Sequence, residues 1–366
     1  MKKLYIIFIS LFLALIIVPT VLVFATEDKD FSDNENRVLQ TAPELSAEKI
    51  ADGAFQEELT SYISDQFPAR DFWTQAGSKL KMAIGIRDIG GAYICDDDYY
   101  MEKKTGESLD MDKYSENMGY INDFAKTNPQ AETTVVLVPT AASILADKLP
   151  SHAQSYDAAA LLKYSKGLLP DCTVPNIVRL MQNNADSYIY YRTDHHWTSY
   201  GAGLVYRYLA GPTGAYRGDP QLFCEDFYGT TYSKTLDNSA KPDSVYLPYL
   251  PDGVKVKADG KSISMYDMDA ANEKDKYKVF FGGNYGEVVI SGGCGNGKTL
   301  LMIKDSYANS LVPYYVTDYE TIVMLDLRYY NLPVREYAKK LNPTDIIVIG
   351  EIGNIAADDN LFKLSF

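Results

Sequence analysis

Histidine is the scarcest reactive residue in this sequence. Three occur in 366 residues, and two of them, His195 and His196, are adjacent. Histidine chemistry is therefore confined to very few places. Cysteine is almost as rare: Cys95, Cys172, Cys224 and Cys294 lie far apart with no CxxC pair, so neither a zinc ribbon nor a redox dithiol is encoded. Disulfides remain open in three pairings, and free thiols are the alternative. Basic charge is in deficit, with 35 Lys and Arg against 49 Asp and Glu and a net charge of −14. Such a surface repels phosphate backbones, which argues against nucleic acid as a partner. Internal repeats and low-complexity tracts are missing too, so a chain of this length reads as one large globular domain or two modest ones.

What is present begins with an address. Met1, Lys2 and Lys3 precede an uncharged apolar run, Leu4 to Ala25, which meets the charged stretch Glu27-Asp28-Lys29-Asp30. The 22 residues exceed the core of a signal peptide, roughly 7 to 15 residues, and at about 1.5 Å per residue they cover the roughly 30 Å hydrocarbon layer. The positive residues sit at the short N-terminal end and so place the bulk outside. Residues 1–26 are read as a signal anchor in the cell membrane, with everything beyond Thr26 extracytoplasmic. Val23-Phe24-Ala25 also suits a signal peptidase, which makes cleavage the alternative.

Residues 27–85 read as a polar neck followed by helix, with Glu57, Glu58, Leu59, Tyr62 and Ile63 at amphipathic spacing and a break at Pro68. Residues 86–366 read as one α/β domain. Short strands or a hairpin are expected at Ile89–Tyr100, and a helix at Met111–Thr127. Next come a β-branched strand at Thr133–Val138, helices at Ala158–Leu169 and Pro175–Asn183, a strand at Ser187–Tyr191 and a helix at Ser199–Leu209. Strands at Thr299–Ile303, Glu320–Leu325 and Asp345–Ile349 follow a Tyr- and Gly-rich stretch, 211–290, that is read as an insertion or lid. Alternating strand and helix predict a mostly parallel sheet.

Two places carry motifs. Gly292-Gly293-Cys294-Gly295-Asn296-Gly297-Lys298-Thr299 matches the phosphate-loop pattern G-x-x-x-x-G-K-[ST]. That loop works only where a helix begins at its Lys-Thr. Thr299-Leu300-Leu301-Met302-Ile303 has the character of a strand, so the glycines are expected to form a hairpin turn, and no nucleotide is expected there. The second place is Tyr191-Arg192-Thr193-Asp194-His195-His196-Trp197-Thr198, between an expected strand and helix, where sites form in open α/β sheets. Asp194 and His196, two apart in an extended segment, project to one side, so the carboxylate can fix the imidazole tautomer. His195 would point the other way. A metal held by Asp194, His195 and His196 is the competing chemistry, but no further spaced His or Cys completes a ligand set, and His152 is remote in sequence. A hydrogen-bonded loop packed under Trp197 is the purely structural alternative. Ser306, just past the strand at Thr299–Ile303 and before an expected helix, is the matching nucleophile, with free helix N–H groups for an oxyanion. A plain helix cap is its alternative.

Asp194-His195-His196-Trp197 resembles the signature of the DHHW protein family, which is similar to the SGNH-hydrolase-like domains of alginate O-acetyltransferases with their Asp-x-His-Trp motif. Further runs fall in that family's order: Glu35-Asn36-Arg37 with Leu39 and Pro43, Asp65-Gln66-Phe67-Pro68-Ala69-Arg70-Asp71, Val138-Pro139-Thr140, Lys304-Asp305-Ser306-Tyr307 and Asp326-Leu327-Arg328-Tyr329-Tyr330. The resemblance spans roughly residues 31–350. It implies an SGNH-hydrolase-like (flavodoxin-like) three-layer α/β/α fold, with Ser306 as nucleophile, His196 as general base and Asp194 as its partner. Lys304 departs from the family type, which usually has Gly there, and puts a bulky side chain at the turn.

The function this implies is an extracytoplasmic serine O-acetyltransferase acting on an exported or cell-surface polysaccharide, needing no cofactor and no metal. Its acetyl group would arrive through a membrane-bound acyltransferase partner, because acetyl-CoA is cytoplasmic. Arg328, Tyr329 and Trp197 are candidate substrate-binding residues, and Tyr190, Tyr191, Tyr314, Tyr315 and Tyr330 are further candidate sugar-stacking rings. A carbohydrate esterase with the same triad, and an inactive polysaccharide-binding or assembly scaffold, are the other readings. An acyl-enzyme on Ser306 separates the enzymes from the scaffold.

Overall fold

The computed structural model describes residues 2–32, 34–35 and 37–366, so Met1 of the leader and Asn36 of the Glu35-Asn36-Arg37 run lie outside the described residues. The chain divides into two units. One comprises the residues up to Ile89 together with Ser233–Ser239; the other comprises Gly90–Tyr232 and Ala240–Phe366.

The first unit opens with the helix Lys2–Ala25, whose apolar side chains are almost all exposed. Among the described residues it is the one helix long and apolar enough to cross a membrane. Beyond it, helices Ala54–Asp65 and Arg70–Ala83 flank the Pro68 break. Arg37 donates to Asp65 at 2.9 Å and to Glu35 at 2.7 Å, while Arg70 grips the same Glu35 at 2.8 and 3.0 Å. The hydrogen bond from the Arg37 guanidinium holds the Asp65 carboxyl below the usual carboxylate range. Two motif runs distant in sequence are thus one ion-pair knot.

The second unit is built on seven strands: β1 Glu132–Val138, β2 Lys255–Ala258, β3 Lys261–Ile263, β4 Glu287–Ser291, β5 Thr299–Lys304, β6 Thr321–Leu325 and β7 Asp345–Glu351. Their order across the sheet is β3-β2-β4-β6-β5-β7-β1. β6, β5, β7 and β1 run parallel, as expected of β-branched runs buried on both faces. The other half is antiparallel, which corrects the expected mostly parallel sheet to a mixed one. For β2 and β3 the reason is local. β2 and β3 are joined by Asp259 and Gly260, both at positive φ, and a two-residue turn of that kind can connect only antiparallel strands.

Helix Met111–Lys126 follows its sequence pattern, capped by Asp110 on the Lys113 N–H and burying Tyr114, Met118, Ile121, Phe124 and Ala125. Burying each large apolar group stabilises the fold by about 1.5–3 kcal/mol. The expected strand at Ser187–Tyr191 shrinks to a single bridge between Tyr190 and Trp197.

The glycine-rich run behaves differently from its pattern. A strand does begin at Thr299, and no helix follows the loop. The expected hairpin is corrected, because β6 lies between β4 and β5 and the connection spans the end of that strand. Gly292 has φ +89°, and a Cβ on Gly293 would lie 1.8 Å from the Val316 carbonyl oxygen. These glycines permit close backbone packing.

Candidate active site

The parallel strands place their C-terminal ends together, and the reactive residues gather there. Ser306 stands two residues beyond β5. Asp305 before it ties the strand ends: its N–H donates to the Ile349 carbonyl at 3.1 Å, and its carboxylate accepts from the N–H groups of Tyr307 at 3.0 Å and Glu351 at 2.9 Å. The following helix, Ala308–Leu311, is a single turn. The expectation of free helix N–H groups is corrected, because Asp305 also receives the Ala308 N–H on its carbonyl. Among the described residues the Ser306 N–H has no acceptor.

The histidine loop is a tight reversal and not an extended segment. The Tyr191 N–H donates to the His196 carbonyl at 3.2 Å, and the Thr198 N–H donates to Ile189 at 3.0 Å. Asp243, fully buried, moulds the tip by accepting the N–H groups of Arg192 and Thr193, both at 2.8 Å, the Thr193 hydroxyl at 2.6 Å and the Tyr188 hydroxyl. Burial pushes its carboxyl up, and these hydrogen bonds oppose the rise.

Asp194, His196 and Ser306 meet. The Ser306 Oγ lies 2.7 Å from His196 Nε2, and His196 Nδ1 lies 2.6 Å from Asp194 Oδ1. Asp194 Oδ1 also accepts the His196 N–H at 2.9 Å, and its Oδ2 accepts the N–H and hydroxyl of Thr230, both at 2.9 Å. Burial works against ionising this carboxyl, but the neighbouring charges of His195 and His196 and these hydrogen bonds outweigh it and hold it well below the usual range. Only a residue without a side chain fits beside it, since a Cβ on Gly229 would lie 2.3 Å from the Asp194 Cβ. With the carboxylate fixing Nδ1–H, the bare Nε2 faces the serine hydroxyl, and the array can take the serine proton.

Tyr277 completes the clamp. Its ring stacks on His196 with centroids 3.9 Å apart and planes 6° apart, and its hydroxyl donates to the Ser306 carbonyl at 3.0 Å. Tyr277, Thr230, Gly229 and Asp243 all come from the stretch read as an insertion. Nothing local in the sequence singles them out, because each acts through a contact about 30 or more residues away.

The remaining candidates separate. His195 does not point away: its ring lies 3.8 Å from that of His196, its Nδ1 is 2.6 Å from the Thr230 hydroxyl oxygen, and burial and the His196 charge pull it down to about 4. It lines, with Ser306, Arg328 and Asn354, a cavity of about 420 Å³ at the strand ends. Arg328 is held there by Asp326 at 2.8 and 2.6 Å. Tyr329 is half-exposed and outside that lining. Trp197 is corrected from substrate contact to core, being fully buried with its indole N–H shared between the Tyr307 carbonyl and Ser310. Tyr190, Tyr191, Tyr314, Tyr315 and Tyr330 are likewise buried and present no sugar-stacking face. Lys304 leaves the turn free: its Nζ is buried against Asn309 at 3.0 Å and Asp326 at 3.3 Å. A larger cavity, about 740 Å³, opens at the opposite strand ends beside Glu132, Lys298 and Asp345 and contains none of Asp194, His196 and Ser306.

Asp194, His195 and His196 bring ligand atoms within 4.8 Å of one another. The Asp194 oxygens and both Nδ1 atoms are already engaged by hydrogen bonds, so this donor set is arranged for proton handling and a metal would have to displace those contacts. All four cysteines are unpaired.

The DHHW protein family matches residues 88–325 of the chain. A DHHW family protein from Eubacterium siraeum is 23% identical, with a TM-score of 0.64 over 75% of this chain and 95% of its own. Bacillus cereus PatB1 is 23% identical, with a TM-score of 0.62 over 74% of this chain and 98% of its own. The same protein with a sulfonyl adduct gives 22% identity and a TM-score of 0.61 over 74% and 96%. Likeness at these identities is one of fold. No curated protein matches the sequence.

Proposed function

The chain belongs to the DHHW protein family, and from that premise we propose that it is an extracytoplasmic serine O-acetyltransferase acting on an exported or cell-surface polysaccharide, on an SGNH-hydrolase-like three-layer scaffold. The observation that carries the reading is the 2.7 Å contact between Ser306 Oγ and a His196 whose other nitrogen is held by Asp194. In this reading His196 Nε2 takes the Ser306 proton as Oγ attacks the acyl carbonyl carbon. The leaving group departs with that proton, and the acetyl group is held as an ester on Ser306. A sugar hydroxyl then gives its proton to His196, attacks the ester carbonyl and takes the acetyl group, while Ser306 Oγ recovers the proton. The Ser306 N–H is the backbone donor for the developing oxyanion.

The acetyl and polysaccharide assignments rest on the resemblance of Asp194-His195-His196-Trp197 to the Asp-x-His-Trp motif of alginate O-acetyltransferases. The extracytoplasmic location rests on the apolar helix Lys2–Ala25 as a single-pass anchor, and the acetyl donor then comes through a membrane-bound acyltransferase partner. PatB1 carries a sulfonyl adduct, the product an activated nucleophile gives with a sulfonylating reagent, so that reagent class also probes Ser306.

The test is mass spectrometry of the full chain after incubation with an activated acetyl ester. One acetyl group on Ser306, absent from Ser306→Ala, is the expected result. Release of that group only to water, with sugars present in excess, would reassign the protein as a carbohydrate esterase. An unmodified Ser306 would leave a binding scaffold.

A further inference from the structure

The hydrogen-bond geometry around Thr230 fixes which nitrogen of His195 carries its proton. Ionised Asp194 can only accept, and Thr230 Oγ1, 2.9 Å from Asp194 Oδ2, gives it its single hydrogen. The same Thr230 oxygen lies 2.6 Å from His195 Nδ1 and therefore accepts there. Nδ1 carries the hydrogen, and the neutral ring leaves Nε2 as a bare acceptor. Among the described residues Nε2 has no hydrogen-bond partner, and the ring lines the same cavity as Ser306. The attacking hydroxyl cannot fill this acceptor. Its one hydrogen must go to His196, whose ring lies 3.8 Å away.

We propose that His195 Nε2 receives a hydrogen from a second group on the acceptor, a hydroxyl or amide N–H next to the hydroxyl that attacks the acetyl ester on Ser306. The site then selects sugars with two neighbouring donors over monohydric alcohols. His195 is a specificity-determining residue, and the Thr230 hydroxyl sets its tautomer. The inference rests on the acyl-transfer reading above.

The experiment loads Ser306 of the full chain with an acetyl group and offers, in competition, a sugar with a vicinal diol and its analogue lacking the neighbouring hydroxyl. Wild type should favour the diol by about tenfold, the effect of one hydrogen bond in a partly open site. His195→Phe should bring the ratio near one, and His195→Gln, which keeps an acceptor on a side chain of similar reach, should restore part of it. Each ratio is read within one variant, so a general loss of rate cancels. Thr230→Val is the second route: it removes the acceptor for Nδ1–H, releases the tautomer and should lower the ratio as well. An unchanged ratio in both His195→Phe and Thr230→Val would overturn the proposal while leaving acyl transfer in place. Failure to load Ser306 in wild type would remove the reading on which it rests.

Discussion

The two ends of β5 carry two candidate sites read from the sequence, and they differ in what their residues touch. At the N-terminal end, residues 292–299 match a phosphate-loop pattern in every position, yet Gly293 is there because the Val316 carbonyl leaves no room for a side chain. At the C-terminal end the short run Asp305-Ser306 has little pattern, yet Ser306 meets His196 at 2.7 Å, and that His196 is held by a buried, hydrogen-bonded Asp194. A motif is a set of residue types. Its chemistry depends on the element that follows it and on partners from elsewhere in the chain.

The contrast is broken most severely at Ser306. Ser306→Ala and His196→Ala should each lower acetyl transfer by about 10⁴-fold or more, and the double variant should be hardly worse, because base and nucleophile fail together. Steady-state rates with an activated ester measure this, and additive losses would show that the two groups act separately. Asp194→Asn comes next, with a loss of about 10³- to 10⁴-fold expected from a mis-set His196 tautomer. The same substitution tests pH dependence. The Asp194 carboxyl titrates lower in the folded protein than in the unfolded chain, so its contribution to stability is full above about pH 4 and is lost as pH falls towards the folded-state value. Melting temperatures taken from pH 7 down to pH 3 should fall less in Asp194→Asn than in wild type; parallel curves would contradict that origin.

At the other end of β5 the effects are on stability. Gly293→Ala forces a Cβ against the Val316 carbonyl and should cost about 2 kcal/mol or more, seen as a melting temperature lower by several degrees, with residual folded protein still acylated. The smallest effect is expected at Lys298. Lys298→Ala should leave acylation of Ser306 unchanged, and calorimetry with ATP and Mg²⁺ should show no binding to either protein. A micromolar affinity lost in the variant would restore the phosphate-loop reading.

Residue types and local periodicity were enough to locate the apolar N-terminal helix and the parallel strands, because each depends on neighbours a few residues away; they named Asp194, His196 and Ser306 only as candidates, since the contact between His196 and Ser306 spans 110 residues of chain. Strand-end placement of Ser306 and the scarcity of histidine narrowed the search before any contact was known. The antiparallel half of the sheet was less legible, since β2, β3 and β4 are short pieces in a Gly- and Tyr-rich stretch, and although a tight turn pairs β2 with β3, the pairing of β4 with β2 and β6 is set by tertiary contacts.

The sequence by itself therefore determined which side chains could do acid, base and nucleophilic chemistry and roughly where along the fold they stand. Only the tertiary structure decided that Thr230 and Gly229 shape the Asp194 pocket, that Tyr277 lies flat on His196, that Trp197 is core, and that His195 turns toward its neighbour. The physical reason is the same in each case: a hydrogen bond or ring contact fixes orientation to a fraction of an ångström, and most of these partners are brought together by chain reversals that no local propensity encodes.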